Sequence, residues 1–220
     1  VILSIGVLIV AFPVWLTFVA STWDNATIIN GQLPLYPGPH FFDNYYRILF
    51  VGASSSTREP VASMMLNSFI MALAIALGKI FISVLSAYAI VYYRFPFRMA
   101  AFWIIFVTLM LPVEVRIGPT YQVVSDLGML NTYAGLTVPL IASATATFLF
   151  RQFFLTVPDE LVEAARVDGA GPMRFFWDVL LPLSATSVAA LFVIQFIYGW
   201  NQYLWPLLVT TDESMYPVVM

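Results

Sequence analysis

From Ala62 to Tyr93 the chain carries a single charge, Lys79. At about 1.5 Å per residue, a helix of that length more than crosses a hydrocarbon core of about 30 Å. Such a run reads as a membrane span that is tilted or protruding. Four more apolar stretches follow the same logic: Val1 to Ala20, Ala100 to Leu111 with its flanks, Tyr133 to Phe150, and Ser184 to Thr210. Arg94 and Arg98 close the second span and Arg151 ends the fourth. Pro112 interrupts the third, and Pro119 is expected to end a short non-helical link. Hydrophobic residues make up 61% of the chain and charged residues 10%, outside the usual soluble balance. The expected class is an all-α polytopic membrane protein.

Several functions are excluded early. The net charge of −3 is spread over loops, which gives nucleic acid no basic patch to bind. There is no cysteine, and the single histidine, His40, lies beside the turn Pro37-Gly38-Pro39, so neither a thiol site nor a metal site is expected. Val1 opens a span with no basic segment and no initiator Met before it, the pattern of a trimmed chain rather than of a signal peptide. The loop from Ser21 to Pro60 is rich in Pro, Gly, Asn and aromatics, and its Phe41-Phe42-Asp43-Asn44-Tyr45-Tyr46 suggests a short interfacial helix. Arg94, Arg98, Arg151, Arg166 and Arg174 fall on one side of the spans, against Arg47, Arg58 and Arg116 on the other. The first group is therefore cytoplasmic.

One cytoplasmic segment is hydrophilic. Thr156 and Asp159 have the spacing of a capping box, Pro158 suits a first helical turn, and acids follow at Glu160 and Glu163. Ala164 and Ala165 keep the helix slim, Leu161 and Val162 give it an apolar side, and Gly169 can take the left-handed C′ conformation. Gly171-Pro172 starts a second short helix that is expected to end at Pro182. A slim two-helix knob of this kind can seat in a groove of a partner. An ordinary surface helix between two spans has the same pattern.

Polar residues inside spans mark paths or partners. Ser68, Ala72, Ser83 and Ser86 share the helical face of Lys79. A Ser–Lys nucleophilic pair of Ser83 and Lys79 would fit a membrane hydrolase, and a snorkelling or helix-bonded lysine is the structural alternative. Gln195, Tyr198 and Gln202 lie along one side of the fifth span, with Asn201 beside them. Arg116 offers a planar fork suited to phosphate, or a surface pair with Glu114.

Glu163-Ala164-Ala165, then Gly169, then Val179-Leu180-Leu181-Pro182 resembles the EAA loop of ABC importer permeases. Trp200-Asn201 with Trp205-Pro206-Leu207 is similar to the "WN…WPL" signature of those permeases, and the Asn44-Tyr45 region is similar to the "NY" segment of their carbohydrate-type members. The resemblance implies a type I importer permease fold, with five spans here and a sixth beyond residue 220. It implies a single transmembrane permease domain over 1–220, incomplete at both ends, with a cytoplasmic coupling loop at 156–182. Glu163, Ala164, Ala165, Arg166, Asp168 and Gly169 would couple to an ATPase, while Lys79, Arg116, Gln195, Tyr198 and Asn201 would line the substrate path. Implied partners are a second permease, an ATPase dimer that binds the ATP and Mg, a periplasmic solute-binding protein and the lipid bilayer of a bacterial inner membrane. No cofactor and no catalytic residue would belong to this chain.

Within the family the stretches Leu109 to Arg116, Ala142 to Phe154 and Phe196 to Asn201 are most similar to E-type permeases of glycerol-3-phosphate importers. That likeness implies transport of glycerol-3-phosphate or its phosphodiesters, with neutral sugars as the alternative and a hydrolase or scaffold as a remote one. Sugar permeases usually carry uncharged residues where Glu114 and Arg116 stand. Gly171 also departs from relatives that place a capping Ser there.

Overall fold

A computed structural model describes residues 2–31, 34–52, 59–108, 111 and 113–220. Arg58, Pro112 and the side chain of Glu114 lie outside the described residues, and with them the Arg116–Glu114 pair and the interruption expected at Pro112. The described residues are helical, with no strand among them. The chain divides into two compact units, residues 1–64 and residues 65–220.

In the first unit, α1 (Ile2–Ser21) is apolar on all sides and exposed along most of its length, and short α2 (Asn25–Ile29) and α3 (Phe41–Tyr46) follow. The short helix expected at Phe41 to Tyr46 is α3. Its Asn44 amide donates to the Ser21 carbonyl at 3.0 Å and the Trp23 carbonyl at 3.1 Å, satisfying acceptors that α1 leaves open at its end. Gly38 donates its N–H to Thr22 Oγ1 at 2.7 Å, and a Cβ at Gly38 would stand 2.7 Å from the Thr22 carbonyl oxygen.

The second unit takes in most of α4 (Val61–Tyr92), then α5 (Arg98–Val107), α6 (Val113–Asp126), α7 (Tyr133–Thr137) and α8 (Ala144–Phe154). It continues through α9 (Asp159–Val167), α10 (Pro172–Phe175), α11 (Leu181–Leu183), α12 (Ala185–Trp200) and α13 (Leu204–Val209). Among the described residues, two helices, α1 and α4, are long and apolar enough to cross a membrane unaided. The expected fourth and fifth spans are broken instead. The fourth is the stretch Tyr133–Leu140 joined to α8 with a 46° bend; the fifth is α12 and α13, interrupted at 201–203, and α12 is itself bent by 71° from the preceding Pro172–Leu183. Polar side chains stand at both bends. Ser143 caps α8 by accepting from the Ala146 N–H at 3.3 Å, and the buried Ser184 hydroxyl donates to the Leu180 carbonyl at 2.6 Å.

One of two expectations about proline needs correction. Pro119 does not end a non-helical link, because α6 runs through it; the cost is one donor toward the Val115 carbonyl, on a residue that is 65% exposed and open to other partners. The second short helix ends within one residue of Pro182, at Leu183, as expected. A π-turn over Phe176–Leu180, closed by the Leu181 N–H on the Phe176 carbonyl, opens the backbone just before the proline and lets the helix continue to Leu183.

The main core of this unit lies where α4, α8, α10 and the π-turn meet. Tyr88, Phe150, Phe154, Phe175, Phe176 and Leu180 are all buried there. Beyond that core, α4 and α12 approach closely, since a Cβ on Gly199 would stand 2.9 Å from Ala72 Cα.

Candidate functional site

The glycine contact sets the geometry of a small polar cavity. It lets α12 lie close enough to α4 for the buried Lys79 ammonium to donate to Gln195 Oε1 at 3.1 Å and to sit 3.8 Å from the centroid of the Tyr198 ring. After Trp200 the helix breaks at Asn201, and α13 begins at Leu204. That break turns Gln202 and Trp205 toward the lysine. Lys79, Arg116, Tyr198, Gln202 and Trp205 thereby line a cavity of about 160 Å³, with Thr120 one turn beyond Arg116. Among the described residues that line it there are two cations and no carboxylate. Like charges that share a confined space repel, so the cavity favours an anionic occupant.

Of the path residues read from the sequence, Lys79, Arg116 and Tyr198 come together here. Gln195 is turned inward as the partner of Lys79 and is 7% exposed, not facing the cavity. Asn201 terminates α12, is exposed, and is absent from the described lining. Thr120 and Trp205 were not expected; their signals were the i, i+4 spacing from Arg116 and the helix break that precedes α13. The Ser–Lys pair is not formed, because the Ser83 hydroxyl donates to the Ser143 carbonyl at 3.3 Å while Lys79 is held by Gln195. Ser68 also has a structural task, accepting from the Val218 N–H at 2.8 Å.

At the far end of α4 lies the hydrophilic segment. Helix α9 ends as its sequence suggests: Gly169 has φ +73°, its N–H reaches the Arg166 carbonyl at 3.0 Å, and the Ala170 N–H reaches the Ala165 carbonyl at 2.8 Å. The capping box is not made. Pro158 is the N-cap, and the Thr156 hydroxyl donates back to the Phe153 carbonyl at 2.7 Å, because Thr156 still belongs to the turn that closes α8. Ala165 packs into the core, while Glu163, Ala164, Arg166, Asp168 and Gly169 are exposed. Beneath the segment the buried Tyr88 hydroxyl donates to the Pro172 carbonyl at 2.7 Å, and the Tyr92 ring packs edge-on against Phe175 at 5.4 Å.

Broken apolar helices beside a cation-lined cavity, with an exposed helix-turn-helix at the other end of α4, are the architecture of a membrane permease. The family model for the binding-protein-dependent transport system inner membrane component matches residues 79–219, and the chain belongs to that family. It is 60% identical over 215 residues to the sn-glycerol-3-phosphate transport system permease protein UgpE of Yersinia pestis bv. Antiqua, covering 98% of this chain and 76% of the relative. It is 61% identical over 219 residues to the UgpE protein of Brucella abortus, covering 100% and 78%. A bacterial ABC transporter involved in the import of the acidic polysaccharide alginate shares the fold with a TM-score of 0.84 at 24% identity, over 99% of this chain and 74% of that one. The chain is thus an all-helical permease subunit of an ABC importer, an inner membrane component and not itself an enzyme.

Proposed function

We propose that this permease passes glycerol-3-phosphate or its phosphodiesters across a bacterial inner membrane. The observation that carries the reading is the cavity in which Lys79 and Arg116 stand together with no described carboxylate to neutralise them. A phosphate supplies the missing charge, and the guanidinium of Arg116 gives it a two-pronged donor. Tyr198, Gln202 and Thr120 offer hydroxyl and amide groups to the glycerol end. The names of the UgpE relatives support the same solute.

Both compact units belong, in this reading, to one permease domain that pairs with a second permease. A periplasmic solute-binding protein delivers the solute, and an ATPase dimer holding ATP and Mg drives the cycle. The exposed residues Glu163, Ala164, Arg166, Asp168 and Gly169 meet the ATPase, and Ala165 anchors their helix to the body. The test is solute uptake by the assembled importer in proteoliposomes. Arg116→Gln and Lys79→Gln are each expected to weaken handling of glycerol-3-phosphate by ~1–3 kcal/mol, the loss of one charge-assisted hydrogen bond. Unchanged uptake in both variants and in the double variant would assign phosphate selection to another subunit.

A further inference from the structure

The cavity charged by Lys79 and Arg116 also has an apolar lining, which a bare oxyanion leaves unused. Ile117, Pro139, Leu140 and Trp205 contribute it. A few charged groups set among carbon surface suit a solute that is itself part charged and part carbon.

Trp205 is the largest of these apolar residues, and it is fixed in place. It is 4% exposed, and its indole N–H donates to the Gly135 carbonyl at 3.1 Å. Its one polar atom is thereby occupied, so what the ring gives the cavity is carbon surface. Val124 and Val209 are buried in one cluster with it, and Ile117 and Leu140 pack on that cluster. The acceptor is fixed as well, since a Cβ at Gly135 would strike the Met129 carbonyl oxygen and only glycine fits the seat. An inorganic phosphate in this cavity satisfies the cations but turns oxygen toward carbon, where no donor meets it. A phosphate ester turns its oxygens to the cations and its carbon chain to the wall. The hydroxyls of a glycerol chain still have Thr120 and Gln202 as partners in the same cavity.

We propose that Trp205 is a specificity-determining residue of this permease: its apolar wall makes the cavity take a phosphate joined to a short carbon chain and disfavour inorganic phosphate. This rests on the reading of Lys79 and Arg116 as the phosphate's partners. The two cations select for charge, and Trp205 selects for what the charge is attached to.

The test measures equilibrium binding of radiolabelled glycerol-3-phosphate and of inorganic phosphate to the assembled permease–ATPase complex in nanodiscs. The double variant Lys79→Gln with Arg116→Gln defines the binding that does not belong to the cavity. Above that background the wild type is expected to hold glycerol-3-phosphate several-fold more tightly than inorganic phosphate. Trp205→Gln is expected to weaken glycerol-3-phosphate several-fold and leave inorganic phosphate unchanged. Trp205→Phe, which restores a carbon face without the indole N–H, is expected to recover part of the preference. A tryptophan that served only to hold the fold would lower both anions together. Should Trp205→Gln fail to assemble, Ile117→Thr, half-buried at the same wall, carries the test with a smaller shift in the same ratio. Equal binding of the two anions by the wild type, or an unchanged ratio in the assembled wall variants, would overturn the proposal while leaving the cavity an anion site. Glycerol-3-phosphate binding that survives intact in the double variant would instead overturn the anion reading of the cavity, and the role of Trp205 with it.

Discussion

Lys79 on α4 and Gln195 on α12 are 116 residues apart in the chain and 3.1 Å apart in space, and this bond joins the two helices that shape the cavity. A neutral amide holds the lysine without cancelling its charge. Gln195→Leu should leave a buried ammonium short of an acceptor and destabilise the assembled complex by about 2 kcal/mol, read as a lower thermal midpoint. Gln195→Glu should instead retain stability, because it offers the lysine an ion pair, while anion uptake drops as the cavity loses net charge. An unchanged midpoint in the leucine variant would show that the bond contributes nothing.

At the opposite end of α4, Gly169 adopts φ +73° with no heavy atom within 4 Å of where its Cβ would be. The cost of replacement is thus backbone strain alone. Gly169→Val should strain the end of α9 by about 1–2 kcal/mol, lowering uptake and ATPase stimulation while membrane insertion survives. Gly169→Asn, which tolerates a left-handed backbone, should be close to normal. Equal activity in the valine and asparagine variants would remove the conformational argument.

Tyr88 joins α4 to the segment that follows α9 through its hydroxyl on the Pro172 carbonyl. Tyr88→Phe keeps the ring against Phe176 and removes that bond, worth about 1 kcal/mol. The expected outcome is more ATP hydrolysed per solute carried, with normal amounts of assembled complex. A wild-type ratio would mean that aromatic packing alone joins the two elements.

The α4–α12 crossing leaves no room at Gly199, where an added Cβ would stand 3.3 Å from the Ala72 carbonyl oxygen as well as 2.9 Å from its Cα. Because the obstacle is backbone, the helices must separate. Gly199→Val should cost ~1–3 kcal/mol and part Lys79 from Gln195, so anion uptake should fall together with the thermal midpoint. Full uptake in this variant would separate the cavity from the crossing.

The sequence by itself determined the membrane class, the run of α4, the short α3, and the left-handed end of α9. Each of these rests on local physics: apolar length, side-chain composition, or the freedom of glycine. It also exposed the slim face of α9 and marked Lys79 as a charge that needs a reason. What only the tertiary structure decided were the partners. Nothing local ties Lys79 to Gln195 or brings Arg116 and Trp205 to the same cavity, because those contacts depend on how closely α4 and α12 cross and where α12 breaks. The capping box failed for a related reason. Thr156 matched the motif, yet the closing turn of α8 offered its hydroxyl a nearer acceptor at Phe153. Gln195, read as facing the path, turned inward because the buried ammonium of Lys79 needed an acceptor more than the cavity needed an amide.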